Sequence, residues 1–568
     1  IVHAAIGLAL EQRRGLLRTL RACGVSARML IACLVVELGA LALVGGVAGV
    51  TSGYLLASVL LPDVAASLRG LYGAEVAGQL NLSPWWWLSG IGLSLLGALL
   101  AGTNSLLRAA RLPLLALADP QAWHQAHSRW LRRQGWVAAL AAVIALLALF
   151  LGDSLASGFV LLAALLLGAA LALPVVLNLV LNAVLQRSRS VLGQWFVADC
   201  RQQLPALSLA LMALLLALAA NIGAGSMTGG FRETFSHWLE QRLSAELYLN
   251  PLNPAQSVEL YAWLKQQPQV EAVLPNWQVS TQLQGWPTDV FGVIDHPTYR
   301  QHWPLLEAQG DDPWKRLASD DSVMLSEQLA RRLKVRLGDS LPMTTPGGTW
   351  SPQIVGIYAD YGNPKGHVLV NERHLLRHWP QLTPNRFNLR IDPASIPSFL
   401  TTLQARFALD DNRIVDQARL KDWSSQVFER TFAATAALNS LTLAVAGVAL
   451  FISLLTQSQS RLGQLAPLWA LGVTRRQLML LNLGQTWLLA VLTLVLALPL
   501  GIALAWCLDA VINVQAFGWR LPLRVFPWQL LQLMGLALLA TLLASAWPLY
   551  SLYRTQPADL LRTFAHED

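Results

Sequence analysis

The chain has 568 residues, of which 54% are hydrophobic and 13% are charged. That charged share is about half of what a soluble domain carries, so a single water-soluble globule is excluded. A mean hydropathy of +0.45 requires long stretches almost without charge. Basic residues outnumber acidic ones by 41 to 33, but they cluster in short loops between apolar runs, so the net charge of +8 indicates membrane topology and no nucleic-acid partner.

The amino-terminal end and the cysteines give two further expectations. The chain begins at Ile1 in an apolar stretch that stops at Glu11 and is too short to cross a bilayer. We expect residues 1–10 to be the end of a further helix, and the sequence to be a fragment whose amino-terminal part is missing. The four cysteines lie in or beside apolar runs, so the sequence predicts neither a disulfide framework nor a cysteine metal site.

Eight apolar runs reach the roughly 20 residues that a membrane-spanning helix needs. Within the fourth, fifth and sixth runs, Asn178, Asn182, Asn221 and Asn439 are polar positions at which we expect interhelical hydrogen bonds. The eight runs are 29–62, 88–107, 134–152, 158–185, 204–230, 432–460, 477–508 and 525–553.

Basic residues orient these spans, because Lys and Arg stay on the cytoplasmic side. The loops expected outside, 63–84, 153–157 and 509–524, are poor in them. Every loop agrees with one topology, which places residues 231–430 outside the cytoplasm. The loops expected inside carry Arg13, Arg14, Arg18, Arg21, Arg28, Arg108, Arg111, Arg129, Arg132, Arg133, Arg187, Arg189, Arg201, Arg461, Arg475, Arg476, Arg554 and Arg562.

Residues 231–430 differ in kind from the rest of the chain. They hold most of the acidic residues and many prolines, and short alternating runs at 353–358 and 367–370 predict strands. Helical patterns occur at 257–267 and 398–407. The segment therefore predicts a folded α+β domain, in which residues 346–349 form a turn between strands.

A short motif occurs twice at a constant offset of 448 residues. The pattern L-x-A-x-G-V-[ST]-x-R stands at 20–28 and again at 468–476, and Gly53 and Gly501 share the same offset. Each copy continues with a long span, an outer loop, another span and a basic turn that contains proline. Duplicated units of this kind are typical of transporters.

The residues of the repeated motif suit a sharp turn between two helices. Gly24 and Gly472 allow a sharp turn after a short helix, and Ser26 and Thr474 can cap the helix that follows. The arginines beside them lie where lipid headgroups meet water. A short amphipathic helix at the cytoplasmic surface can dock a soluble partner, and its recurrence at matched positions favours that role over a generic basic loop.

Two phrases are similar to those of a known family. Residues 18–30, RTLRACGVSARML, resemble the coupling signature R-x-L-R-A-x-G-x-[ST]-x-x-[QM]-[LI] of FtsX/MacB-type ABC transporter permeases. The second copy keeps Gly472 and Thr474 but has Ala466 and Trp469 in place of two arginines. Residues 323–339, VMLSEQLARRLKVRLGD, resemble the periplasmic phrase V-x-[IL]-S-E-x-L-A-x-x-L-x-[LV]-x-x-G-D of the family.

This resemblance covers essentially the whole chain and implies its architecture. We expect an α-helical polytopic membrane protein with an inserted extracytoplasmic α+β domain and two FtsX-like units of three or four spans, similar to the ten-span subgroup. Chains of that subgroup normally begin with a span and a first periplasmic domain that are absent here. The predicted parts are a partial first permease unit at 1–115 with a coupling helix at 13–28, a linking pair of transmembrane helices at 134–185, a transmembrane helix at 204–230 leading to the periplasmic domain, a MacB-like periplasmic domain at 231–430, and a second unit at 431–568 with a coupling helix at 464–476.

The resemblance also implies a function. We expect a permease in a bacterial inner (cytoplasmic) membrane, coupled to a separate cytoplasmic ABC ATPase dimer and exporting or extracting a hydrophobic or lipid-linked substrate by mechanotransmission. Alternatives are a regulatory transmitter that activates a periplasmic hydrolase and a permease for lipoprotein release, so a periplasmic carrier, lipase or hydrolase is a further candidate partner. The sequence has no G-x-x-x-x-G-K-[ST] loop and no hydrolase motif, which predicts a non-catalytic chain with no cofactor, the ATP and Mg being bound by the ATPase.

The predicted functional residues follow from the two motifs. Glu37, the carboxylate inside the first long span, is a further candidate for intramembrane coupling, roughly 13 Å from Arg28 along a helix. For Glu37 three roles stay open: structural pairing, energy coupling, and a substrate or proton relay. The predicted ATPase-coupling residues are Arg14, Arg18, Arg21, Gly24, Ser26 and Arg28 in the first copy, and Leu468, Gly472, Thr474, Arg475 and Arg476 in the second.

Overall fold

The computed structural model describes a large part of the chain. The described residues are 19–20, 22–72, 83–110, 120–319, 321–361, 363, 365–410, 413–422, 436–437, 439–455 and 472–554. For residues 60, 62–72, 104–110, 120–130, 475, 547–549 and 551–554 the description is limited to the backbone.

Seven helices in the described residues are long and apolar enough to cross a membrane. They correspond to seven of the eight predicted spans, and a shorter apolar helix, α12 (Asn439–Leu455), is the described part of the predicted span 432–460. The seven are α1 (Ala27–Tyr72), α2 (Pro84–Ala110), α3 (Pro120–Leu151), α4 (Leu155–Arg187), α5 (Val191–Arg242), α13 (Arg475–Cys507) and α15 (Pro527–Arg554).

One buried core joins α4, α5, α12, α13 and α15. Leu181 of α4, Leu211 of α5, Leu450 of α12 and Leu494 of α13 are among its members, all close to fully buried. Helix α5 packs most extensively against α13, while α1 packs against α2 and α3 against α4. Because α5 and α13 both run outward from the cytoplasmic side of the predicted topology, they lie side by side in parallel.

The structure corrects several predicted boundaries. Helix α1 continues to Tyr72, into the loop expected at 63–84, and α3 begins at Pro120, before the span expected at 134–152. Helix α5 does not end near residue 230 but continues without a break to Arg242, through the predicted start of the outer domain at 231. Arg201 belongs to this helix and not to a cytoplasmic loop. Beyond residue 508 the chain stays helical, as the π-helix Leu508–Ile512 and then α14 (Asn513–Phe517), where we expected an outer loop. In each case the polar residues mark the place where the chain leaves the apolar part of the membrane, and the helix continues past it.

The outer domain is built on a mixed sheet of nine strands. Its strand order is β11-β1-β10-β2-β3-β9-β5-β8-β4, in which β3 with β9 and β5 with β8 are parallel pairs. The strands are β1 (Leu247–Leu249), β2 (Val270–Leu283), β3 (Trp286–Val293), β4 (Leu305–Ala308), β5 (Ser322–Ser326), β8 (Gln353–Tyr358), β9 (Gly366–Asn371), β10 (Arg386–Ile391) and β11 (Ile414–Asp416).

A hairpin and short helices complete the domain. The hairpin β6 (Met343–Thr345) and β7 (Gly348–Trp350) confirms the predicted turn at 346–349, and β8 and β9 confirm the two predicted strands. The predicted helices correspond to α6 (Pro254–Leu264) and α11 (Ile396–Phe407). The other helices are α7 (Pro297–His302), α8 (Pro313–Ser319), α9 (Glu327–Leu333), α10 (Glu372–His378) and the 3-10 turn Pro393–Ser395.

A buried histidine makes the stability of this domain depend on pH. Complete burial lowers the pKa of His367 from 6.5 to about 4; its ring stacks on Phe291 and hydrogen-bonds the Tyr358 hydroxyl. The unfolded chain therefore takes up a proton at a pH at which the folded chain does not, so stability is lost as pH falls from 6.5 towards 4, by about 3 kcal/mol at the low end.

We expect His367→Gln to remove this part of the pH dependence. The measurement is hydrogen exchange of the β8 and β9 amides in the full chain at pH 7, 6, 5 and 4, corrected for the intrinsic exchange rate. Protection of wild type should fall relative to that of the variant as the pH falls, because only wild type loses stability through His367. A constant difference would mean that His367 is protonated in the folded domain.

Candidate functional site: coupling turns and the junction with the outer domain

The turns of the two predicted coupling motifs, at residues 20–28 and 468–476, are here called the first and second coupling turns. The first has the predicted geometry. Gly24 lies at φ 95°, in the left-handed region that favours glycine, and the Val25 N–H donates to the Leu20 carbonyl over 3.1 Å, as in a Schellman ending of a helix. The Ser26 hydroxyl then accepts from the Met29 N–H over 3.3 Å at the start of α1. A helical segment therefore ends at this turn, and the long span α1 begins at Ala27.

The second copy repeats this geometry 448 residues later. Gly472 also lies at φ 95°. The Thr474 hydroxyl accepts from the Gln477 N–H over 3.4 Å, and the Gln477 side chain accepts from the Thr474 N–H over 2.9 Å, which makes a capping box. The turn and cap predicted from glycine and Ser or Thr are thus present in both copies.

The remaining predicted coupling residues divide between described and undescribed parts of the chain. Arg28 and Arg476 lie exposed in the first turns of α1 and α13. Arg475 is described by its backbone alone. Arg14, Arg18, Arg21 and Leu468 lie outside the described residues.

Glu37 lies on α1 with an exposed side chain, nine residues beyond Arg28. This position is in the apolar part of the helix, as expected from the sequence. The three roles considered for Glu37 all remain predictions.

A buried polar cluster that the sequence did not predict joins α5 to α13. The Gln485 amide of α13 donates to the Asp199 carboxylate of α5 over 2.7 Å, and the Gln203 amide donates to Gln485 Oε1 over 2.7 Å. All three side chains are buried. Hydrogen bonds between buried polar groups require one alignment of the two helices, so the cluster fixes the register of α5 on α13.

A second polar contact joins α4 to α5. Arg201 of α5 donates to the side-chain oxygens of Asn178 and Asn182 on α4, over 3.1 and 3.2 Å. The interhelical role predicted for these two asparagines is confirmed. Asn221 instead donates within its own helix, to the Ala217 carbonyl, so the interhelical prediction is wrong for that residue. No hydrogen bond involving the Asn439 side chain is found among the described residues.

Farther out, α5 and α13 approach closely through two glycines. A Cβ at Gly501 would lie 2.5 Å from the Ile222 Cβ, and a Cβ at Gly223 would lie 2.9 Å from the Leu504 Cβ. Small residues permit this backbone approach inside a membrane. By contrast, a Cβ at Gly53, which matches Gly501 in the repeat, would meet nothing within 4 Å.

The chain beyond the outer end of α13 contacts the outer domain. The π-helix after it contains the buried carboxylate of Asp509. Such wide turns are frequent at functional sites. Asn513 of α14 then donates to the Trp519 carbonyl over 2.7 Å, which holds the following loop against the helix end.

An aromatic cluster, here called the junction, connects this loop and α5 with the outer domain. The Trp519 ring lies 5.9 Å from Phe231 of α5 and 5.2 Å from Tyr361 of the domain, between ring centres. The junction comprises Phe231, Phe235, Trp238 and Leu239 of α5, Trp519 and Leu521 of the loop, and Ala359 and Tyr361 of the domain.

Polar contacts hold the junction at specific points. The Trp238 indole donates to the Ala359 carbonyl over 2.9 Å, and the Arg520 N–H donates to the Glu327 carboxylate over 3.4 Å. Arg242, at the end of α5, lies 3.8 Å from the Asp360 carboxylate and stacks over the Trp303 ring at 4.2 Å. These contacts join α5 and the 518–524 loop to the same part of the domain.

Comparison with protein families accounts for most of the chain. The FtsX-like permease C-terminal model matches residues 1–114 and 436–557, each of which contains one coupling turn. The MacB-like periplasmic core domain model matches residues 207–414 between them. The chain belongs to the FtsX/MacB-type ABC transporter permeases. This permease is a multi-pass membrane protein with a MacB-like periplasmic domain.

Individual relatives share about a quarter of their aligned residues with this chain. The permease is 24% identical over 581 residues to an uncharacterized ABC transporter permease protein of Mycobacterium tuberculosis, covering 98% of this chain and 67% of the relative. It is 26% identical over 283 residues to the lipoprotein-releasing system transmembrane protein LolC of Haemophilus influenzae, covering 46% of this chain and 69% of LolC.

Two solved structures match the outer domain of the permease. The periplasmic region of MacB from Actinobacillus actinomycetemcomitans has 10% identity and a TM-score of 0.24, covering 32% of this chain and 93% of that one. The extracellular domain of the noncanonic ABC-type transporter YknZ from Gram-positive bacteria has 15% identity and a TM-score of 0.23, covering 30% and 98%.

The described part of the permease contains no candidate metal centre. Over the described ranges of the permease, three or more His, Cys, Asp or Glu side chains do not come together in a group that could hold a metal ion.

Proposed function

We propose that the permease transmits movement from a separate cytoplasmic ABC ATPase to its outer domain, and thereby exports or extracts a hydrophobic or lipid-linked substrate. In this proposal the chain lies in the cytoplasmic membrane of a bacterium, with the coupling turns inside. The ATPase acts as a dimer that binds ATP and Mg, and the chain itself catalyses no reaction.

One observation carries this proposal. Helix α13 begins at the second coupling turn, and the chain continues from it through the π-helix and α14 to Trp519 in the junction. Along the way α13 is tied to α5 by the buried polar cluster and by the close contact at Gly501. A displacement of the turn at Gly472 can therefore be transmitted through continuously packed residues to Tyr361 of the outer domain.

The sequence supports a separate ATPase. No phosphate-binding G-x-x-x-x-G-K-[ST] loop occurs anywhere in the 568 residues. The two coupling turns share the same left-handed glycine and a Ser or Thr cap, which suits two equivalent docking sites on a dimeric partner.

Release of lipoproteins is a second candidate function. The similarity to LolC, the transmembrane protein of a lipoprotein-releasing system, favours it. A lipoprotein is one kind of lipid-linked substrate, so this candidate narrows the leading proposal and adds a periplasmic carrier as a partner.

The coupling role is tested by charge reversal at the first turn. We expect Arg18→Glu with Arg21→Glu to abolish co-purification of the ATPase while the chain still inserts into the membrane, because both arginines belong to the docking motif. Measurement requires pull-down of the ATPase expressed alongside the chain and a membrane-fraction assay.

The matched control reverses two arginines of another cytoplasmic loop. Arg187→Glu with Arg189→Glu changes the charge equally between α4 and α5, and association should be retained. Undiminished association in the Arg18/Arg21 variant would show that the ATPase docks elsewhere.

A further inference from the structure

A cavity of about 820 Å³ lies between the outer domain and the loop that follows α14. One side is formed by α9 and the residues after it, and the other by residues 520–523 of the loop. Its volume is within the roughly 300–1,000 Å³ typical of small-molecule sites. The cavity adjoins the junction, since Tyr361 and Leu521 belong to both.

Its lining carries an excess of positive charge. Four cations, Arg331, Lys334, Arg336 and Arg520, face two carboxylates. One of these carboxylates, Glu327, is already paired with Arg331 at 2.7 Å. Lys334, Arg336 and Arg520 have no carboxylate within ion-pair distance in the part of the chain that the structure describes, so their charges are available to an anion.

Lys334 occupies an unusual backbone position in this lining. It lies at φ 56° at the carboxyl end of α9, in the left-handed region that favours glycine or asparagine. A lysine in this conformation costs conformational energy, and its charged side chain lines the cavity.

The rest of the lining is apolar and lies at the membrane surface. Ile357 and Leu521 are buried in its wall, whereas Leu523 is 40% exposed. The 518–526 loop connects two spans, α13 with α14 on one side and α15 on the other, so it must lie where the outer leaflet meets water. Val525 and Trp528, which follow Leu523, are exposed as well and extend this apolar surface towards the bilayer.

We propose that the cavity binds the anionic headgroup of a lipid of the outer leaflet, whose acyl chains lie along Leu523, Val525 and Trp528. A cationic lining above an apolar edge at this level matches an anionic amphiphile. A free anion would leave the apolar edge without a contact. A neutral lipid would leave the cations without a counter-charge. The inference rests on the proposed function, and it narrows the substrate class to anionic lipids or lipid-linked anions.

The test is lipid binding by the full chain in a neutral detergent, measured by native mass spectrometry. Phosphatidylglycerol and phosphatidylcholine with identical acyl chains are the two probes, and glycerol phosphate is the competitor without chains. We expect phosphatidylglycerol to bind about tenfold more tightly than phosphatidylcholine, because the unpaired cations favour the anionic headgroup. Glycerol phosphate should not displace it.

The variant Lys334→Asn with Arg336→Gln should bind phosphatidylglycerol about tenfold more weakly. Asparagine tolerates the left-handed backbone at 334, so the fold is retained. The matched control, Lys315→Gln with Arg377→Gln, removes two exposed cations of the same domain that do not line the cavity and should leave binding unchanged.

Any of three results would overturn the inference. Equal binding of the two lipids, or undiminished binding in the Lys334/Arg336 variant, would show that the cations do not select the headgroup. Displacement by glycerol phosphate would show a site for small anions instead of lipids. Because binding is measured without the ATPase, failure here is distinct from retained ATPase association in the Arg18/Arg21 variant, which would contradict the coupling proposal itself.

Discussion

Gly501→Leu is expected to destabilise the packing of α5 on α13. The added side chain would begin 2.5 Å from the Ile222 Cβ, and both Cβ atoms are fixed directly to helix backbones that the buried polar cluster holds in register. Overpacking of this kind costs about 1–3 kcal/mol or more. Thermal unfolding of the full chain in detergent should therefore occur at a lower temperature.

The internal repeat supplies the matched control for this experiment. Gly53 occupies the same position in the first copy, but a Cβ there would meet nothing within 4 Å. Gly53→Leu should leave the unfolding temperature unchanged or raise it slightly, because leucine favours a helix by about 0.5–1 kcal/mol over glycine. An equal decrease of the unfolding temperature in both variants would show that the effect does not come from the α5–α13 contact at Gly501.

Trp519→Ala should separate the outer domain from the spans without unfolding either. The Trp519 side chain is 5% exposed and packs on Phe231, Tyr361 and Phe517. Truncating a buried aromatic side chain costs about 3–5 kcal/mol, here concentrated in the junction. We expect faster hydrogen exchange at residues 231–242 and 359–361, with unchanged exchange in β5 and β9.

Trp528→Ala is the control for this variant. Trp528 lies at the same outer membrane surface but is 70% exposed, so its loss should not alter exchange at the junction. In a complex with the ATPase, Trp519→Ala should retain ATP hydrolysis while the outer domain no longer responds to it. Unchanged exchange at residues 231–242 would show that Trp519 does not hold the junction together.

The sequence was sufficient for the parts of the fold that depend on local composition. Apolar runs of the right length predict the spans, and alternating runs predict β8 and β9. The end of α5 could not be predicted in this way. The switch to polar residues after Gly230 marks the passage of the helix from lipid to water and not the end of the helix. The same holds at Leu508, where the chain leaves the apolar run but remains helical to Phe517.

The candidate site was predictable to the extent that it depends on backbone conformation. Glycine followed two residues later by Ser or Thr specified the turn and cap in both copies. The polar cluster was not predictable, because Gln485 is 286 residues from Asp199 and only tertiary packing brings them together. The repeat likewise paired Gly53 with Gly501 but could not show that one faces open space and the other faces Ile222.

The length of α5 has a mechanical consequence. Its 52 residues form one continuous helix, about 78 Å long, of which the hydrocarbon core of a bilayer covers about 30 Å. A tilt of about 10° over this length displaces one end relative to the other by about 13 Å, more than the width of a helix. Under the proposed function, a small rotation at the inner end of the helix would produce a large displacement of the domain at its outer end.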